Sequence, residues 1–325
     1  MAINGIASIL YGVENLDEST RFYQDFGLTL ERGDASGADF SVPHGSTIQL
    51  RKADDPSLPP DVLQRPSVRE LIWGVDTPAA LEAIERRLKE EGDVTRSPDC
   101  TLHCVDVLGI PIGFRVFEPK PLSFKQVPTN TPTETRRLND NRKWYARATP
   151  QLIHHIGYGV PERQVQLLVD FYERVLNFRV TDVSRKSAVF LLAEGRNDHH
   201  NIFIIKSEAM GCAGIVWHHA SFGVENIDEV AAGANYLQRR QWSSGVGLSR
   251  HGISSAVNFY ARCPAGGEAE YAADIDYIDL QWKPRMWDPR FGVYMWNASI
   301  PEYMMNEPPE DVQVIEGAVP RFNEH

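Results

Sequence analysis

The feature that most limits what this chain can fold into is an internal repeat. Residues 6–34 return as residues 152–182 with their features in the same order. Each copy opens on an alternating apolar strand that closes on Tyr-Gly-Val (Tyr11-Gly12-Val13 and Tyr158-Gly159-Val160). An amphipathic helix with a Phe-Tyr pair follows (Phe22 and Tyr23, Phe171 and Tyr172), then β-rich residues.

A second unit follows each copy, from Val68 and from Trp217, again reading strand, Gly-Val and helix, with strands after it. The pattern predicts an α+β fold of four βαβββ modules in two pairs, roughly residues 1–55, 66–120, 150–207 and 214–281. Domains cluster near 100 to 200 residues, so a chain of 325 residues accommodates two, each with its own core. Residues 1–135 are read as the first domain, 136–149 as a linker within the polar, Pro/Thr-rich stretch 120–150, and 150–281 as the second domain. The tail, 282–325, carries Trp282, Trp287 and Trp296 and is too apolar to be disordered. It is expected to pack on its own domain or on a neighbouring subunit, or to cover the site as a lid.

Composition excludes several classes of function. A formal charge of −11 opposes binding to nucleic acid, whose affinity rests on lysines and arginines that neutralise phosphates. No run approaches the roughly 18 apolar residues that a membrane span requires, and the N-terminus lacks a basic segment of the secretory type, so a cytoplasmic protein is expected. Four cysteines, Cys100, Cys104, Cys212 and Cys263, do not call for a disulfide framework. Cys100, His103 and Cys104 lie close in sequence, but further ligands at zinc spacing are missing nearby.

Histidines concentrate in the second half. His154 and His155, His199 and His200, and His218 and His219 form three adjacent pairs, with His251 beyond them. Successive residues of a strand face opposite sides, so one histidine of each pair is a candidate ligand and its neighbour a structural residue. The pairs at 154/155 and 218/219 hold matching places in the first strands of their modules and can converge if the paired modules pack face to face. Glu268 and Glu270 share a face of an apolar-flanked strand, where a carboxylate is costly unless paired or bound to metal. Two imidazoles and a carboxylate leave adjacent positions open, the arrangement of non-haem Fe(II) oxygenases.

The run from Ser249 to Tyr271 carries a histidine, then Phe259-Tyr260, Pro264-Ala265-Gly266 and Glu268-Ala269-Glu270-Tyr271. It resembles the signature of the type I extradiol dioxygenases of the vicinal oxygen chelate superfamily. The resemblance is strong over residues 150–281 and is a module pattern only over residues 1–120. It implies that His155, His219 and Glu270 hold the metal, which breaks the tie between the two glutamates. It further implies that His200 is the acid/base catalyst and that His251 and Tyr260 contact the catechol oxygens. In the first half Ser8, Glu70 and Gly113 match His155, His219 and Glu270, so that half cannot build the same site. Gly157 departs from relatives that carry a polar side chain there, which bears on the ring substituents accepted.

The implied activity is meta cleavage of a substituted catechol by O2 at Fe(II), with Mn(II) able to accept the same ligands, giving a muconic semialdehyde-type product in aromatic degradation. The implied partners are a catechol and O2, in a homo-oligomer. Glyoxalase-type isomerases or transferases and non-catalytic binding proteins are the competing readings. The first commonly compose their site across both halves, and the second are short, ligand-poor chains.

Overall fold

In each module the strand must turn sharply into the helix, and in the first, second and fourth a short polar residue at that junction satisfies one of the first free backbone N–H groups. Asn15 accepts from Glu18 N, Thr77 from Ala80 N and Asn226 from Glu229 N. A computed structural model describes residues 2–63, 67–124, 128–289, 294–298 and 312–324. The first module is β1 (Ile3–Val13), α1 (Leu16–Asp25), β2 (Thr29–Asp34), β3 (Gly37–Ser41) and β4 (Thr47–Lys52). The second is β5 (Ser67–Val75), α2 (Pro78–Glu91), β6 (Thr95–Arg96), β7 (Leu102–Val105) and β8 (Pro111–Val116). The third is β9 (Leu152–Val160), α3 (Glu162–Leu176), β10 (Arg179–Ser184), β11 (Ala188–Leu192) and β12 (Ile202–Lys206). The fourth is β13 (Val216–Gly223), α4 (Ile227–Arg239), β14 (Ser244–Arg250), β15 (Val257–Arg262) and β16 (Glu268–Ala273). This is the α+β architecture that the repeat predicts.

Paired modules do not pack face to face, as the sequence reading supposed. Their first strands join edge to edge, β1 antiparallel to β5 and β9 antiparallel to β13, so each pair forms one continuous sheet. Each module's last strand closes back in parallel on its first. Edge pairing satisfies a row of backbone N–H and C=O groups that face-to-face packing would leave open.

The repeat extends to its irregularities. Bulges leave Ala7 and Arg69 without a register partner in the β1–β5 pair, and His154 and His218 in the β9–β13 pair. These positions correspond between the two halves.

The halves share one hydrophobic core rather than holding two separate ones. Phe26 stacks on Tyr271 with ring centroids 4.1 Å apart, and the Tyr271 hydroxyl donates to the Phe26 carbonyl at 2.8 Å. Trp242 Nε1 donates to Asp25 Oδ2 at 2.9 Å, and Trp73 meets Tyr172 edge-on. Aromatic pairs of this kind add about 0.5–1.5 kcal/mol beyond the area that they bury. The described residues between β8 and β9 form no long element and are tied to the start of α4 by Arg142 on Asp228 and Tyr145 on Asn226.

Described parts of the tail extend the second sheet at both ends. β17 (Arg285–Trp287) runs parallel to β10, β18 (Trp296–Asn297) pairs with β14, and β19 (Val312–Val314) pairs with β17. Residues 290–293 and 299–311, which the lid expectation includes, lie outside the described residues. No described helix is long and apolar enough to cross a membrane.

Candidate metal centre and its cavity

Strand register brings the candidate ligands together. One row crosses the second sheet from His155 on β9 through Ser221 on β13 and Glu270 on β16 to Tyr260 on β15. His219 lies two residues back along β13, opposite Gly157. His155 Nε2 is 2.9 Å from His219 Nε2 and 3.3 Å from Glu270 Oε2, and His219 Nε2 is 3.5 Å from the same oxygen. Among the described residues this is the one group of three or more such side chains placed to hold an ion. All three are buried.

The donor set fits a metal. Neither oxygen of Glu270 has a hydrogen-bond partner, although the side chain is wholly buried. A buried carboxylate without compensation costs several kcal/mol, so the site calls for a cation. Burial holds the imidazoles of His155 and His219 below the ordinary histidine value and therefore neutral, as ligation requires. Donors at right angles on an ion with bonds of about 2.1 Å stand about 3.0 Å apart. The observed separations fall close to that value.

The remaining sequence candidates line the same cavity, whose volume is about 200 Å³. His251 Nε2 lies 3.0 Å from the Tyr260 hydroxyl and 3.8 Å from Glu270 Oε1. The His200 ring centroid is 4.1 Å from that of His155, and burial drives its pKa well down. Phe190, Phe203, Ile205 and Val246 supply an apolar wall.

The rule of one inward histidine per pair holds for His154, which faces Asp198 at 3.1 Å in a buried network with Arg196 and Asn201. It fails for His218. His218, at its bulge on β13, also lines the cavity, its Nδ1 2.7 Å from His219 Nδ1.

Sequence reasoning also missed Tyr294, a tail residue that stacks on His251 at 5.1 Å and lines the cavity. Glu268 lines it too, and burial pushes its carboxyl up to about 6.

Gly157 has a steric role. A Cβ there would lie 2.8 Å from His219 Nδ1, so the absence of a side chain is what admits that ring.

The first half builds something else at the matching positions. Glu70 Oε1 pairs with His103 Nδ1 at 2.7 Å, and His103, opposite Gly113, holds the place that Tyr260 holds opposite Glu270. His103 is thereby committed to Glu70 and Ser97, and the described residues form no metal group with Cys100 and Cys104.

Comparison with known proteins agrees with this architecture. Metapyrocatechase 2 of Cupriavidus necator is 33% identical over 166 residues, 50% of this chain and 50% of that protein, so the match spans about half the length of the curated relative. The structure of BphC, a halotolerant catechol dioxygenase, superposes with a TM-score of 0.71 at 17% identity, covering 96% of this chain and 99% of that one. A Mn(II)-bound glyoxalase from Novosphingobium aromaticivorans gives 0.67 at 20% identity, covering 90% and 91%. At these identities the structural likenesses establish a shared fold, one used by a dioxygenase and by a glyoxalase alike. Residues 152–270 match the Glyoxalase/Bleomycin resistance protein/Dioxygenase superfamily.

Proposed function

We propose that the protein cleaves a catechol by the extradiol route with O2, using Fe(II) held by His155, His219 and Glu270. The observation that carries this reading is the convergence of those three side chains beside a cavity that His155, His219, His200, His251 and Tyr260 line. The likeness to Metapyrocatechase 2 supports it.

When bound, the ion supplies Lewis acidity and redox chemistry at open coordination positions, and Mn(II) accepts the same donors. The side chains do the rest. Tyr260 and His251, 3.0 Å apart, bind and orient the two catechol oxygens and can take up a proton as the diol loses one. Neutral His200 accepts a hydrogen bond or proton on one side of the ring and returns it during cleavage. Phe190, Phe203 and Val246 hold the ring and exclude water. The product is of the muconic semialdehyde type.

The placement of all three donors in one half favours this reading over a glyoxalase-type site composed across halves. A homo-oligomer and a cytoplasmic location go with the reading. Anaerobic reconstitution tests the site: one Fe(II) per chain is expected in the wild type and none in Glu270→Ala. Equal iron retention by the two proteins would remove Glu270 from the ligand set.

A further inference from the structure

We infer that Asp182 and His199 are positioning residues that fix which nitrogen of His200 carries its proton. This inference rests on the proposed role of His200. The three side chains form a file leading from the protein interior to the cavity. His199 Nδ1 lies 3.1 Å from His200 Nδ1, and His199 Nε2 lies 3.3 Å from Asp182 Oδ2. Asp182 and His199 are wholly buried, and neither enters the site described above.

A neutral imidazole carries one proton and one lone pair, so the contact between the two Nδ1 atoms requires that one ring donate and the other accept. The contact alone does not say which. Asp182 decides it. A lone pair on His199 Nε2 would face the carboxylate directly, so the proton occupies Nε2, at an ion-pair distance that does not make a well-aligned hydrogen bond. His199 Nδ1 is then the acceptor and His200 Nδ1 the donor. His200 Nε2 is left with its lone pair free to take a proton. Without Asp182 and His199, the two tautomers of His200 would compete, and one of them presents a proton where a base is needed.

The carboxylate is itself fixed in place. Asp182 Oδ1 accepts from Arg285 N at 2.8 Å and Oδ2 from Trp287 Nε1 at 2.7 Å, both on β17. The tail strand therefore supports the acid/base residue from behind, through Asp182 and His199.

Two measurements test this. Long-range nitrogen–proton NMR on metal-free, ¹⁵N-histidine-labelled protein reads the tautomer directly, without requiring activity. His200 is expected to be protonated on Nδ1; protonation on Nε2 would overturn the inference. Kinetics of two variants supply the second. His199→Phe is expected to lower kcat about tenfold or more, with KM for catechol, iron content and melting temperature close to wild type. His199→Gln, which can still accept from His200 Nδ1, is expected to recover part of that loss. A purely structural role would lower stability in both variants without separating kcat from KM, and undiminished kcat in His199→Phe would overturn the inference. If the wild type turns over no catechol, the proposed reaction fails, while the NMR result still decides the tautomer.

Discussion

Gly157 and His219 face each other across the β9–β13 pair, so closely that any Cβ at 157 would lie 2.8 Å from His219 Nδ1 and 2.9 Å from Cε1. The glycine is a condition for the ligand geometry. Gly157→Ala is expected to turn the His219 ring and weaken iron binding about tenfold or more, with the fold retained. Iron content after dialysis against a graded chelator measures it. Undiminished retention would show that the ring can shift without consequence.

His200 lines the cavity beside His155 without belonging to the proposed ligand set. His200→Phe is therefore expected to keep iron and catechol binding and to slow turnover roughly 10²-fold or more, as loss of an acid/base group does. Anaerobic catechol titration paired with steady-state rates separates the two effects. Full activity in the variant would take His200 out of the reaction.

Phe26 belongs to the first half and stacks on Tyr271 in the second. Phe26→Ala leaves a cavity in the shared core and is expected to cost about 3–5 kcal/mol. Because the core is continuous, both halves should unfold together. Denaturant curves followed by tryptophan fluorescence and by far-ultraviolet dichroism should coincide, and a separately melting first half would contradict the single core.

Asp106 lies in the turn between β7 and β8. Its Oδ1 accepts from Leu108 N and Ile110 N, while Oδ2 is buried without a partner. Burial pushes the carboxyl up to about 7 against those two hydrogen bonds. An acid with a raised folded pKa favours the fold most below its unfolded value and loses that contribution as pH rises through the folded value. The loss here is on the order of 4 kcal/mol and should fall between about pH 4 and pH 7. Asp106→Asn removes the titration, so its melting temperature should gain on the wild type between pH 5 and pH 8. A constant difference across that range would rule out the raised pKa.

Much of this was legible in the sequence because the repeat carries its own check. Tyr-Gly-Val after an alternating strand, followed by a helix with Phe-Tyr, is improbable twice in one order without a shared fold, and the four modules appear where that order places them. The convergence of His155 and His219 was recoverable because they stand at matching positions of successive modules. His218 was not, because a bulge depends on how the partner strand registers and leaves no mark in a single strand's alternation. Tyr294 reaches the cavity from a segment distant in sequence, which periodicity cannot place. Glu268 and Glu270 share a strand face, so strand geometry left them tied. The structure separates them by distance: Glu268 is in register with His219, but it is Glu270 whose Oε2 lies 3.3 Å from His155 Nε2 and 3.5 Å from His219 Nε2.

The central claim is tested most directly by oxygen uptake recorded together with ultraviolet-visible spectra, using enzyme reconstituted anaerobically with Fe(II) and then given catechols in air. The account predicts one O2 consumed per catechol lost, with a yellow absorbing product, and neither change in Glu270→Ala. Bound iron with no oxygen uptake on any catechol would contradict it and move the reading to an isomerase or a binding protein on the same fold.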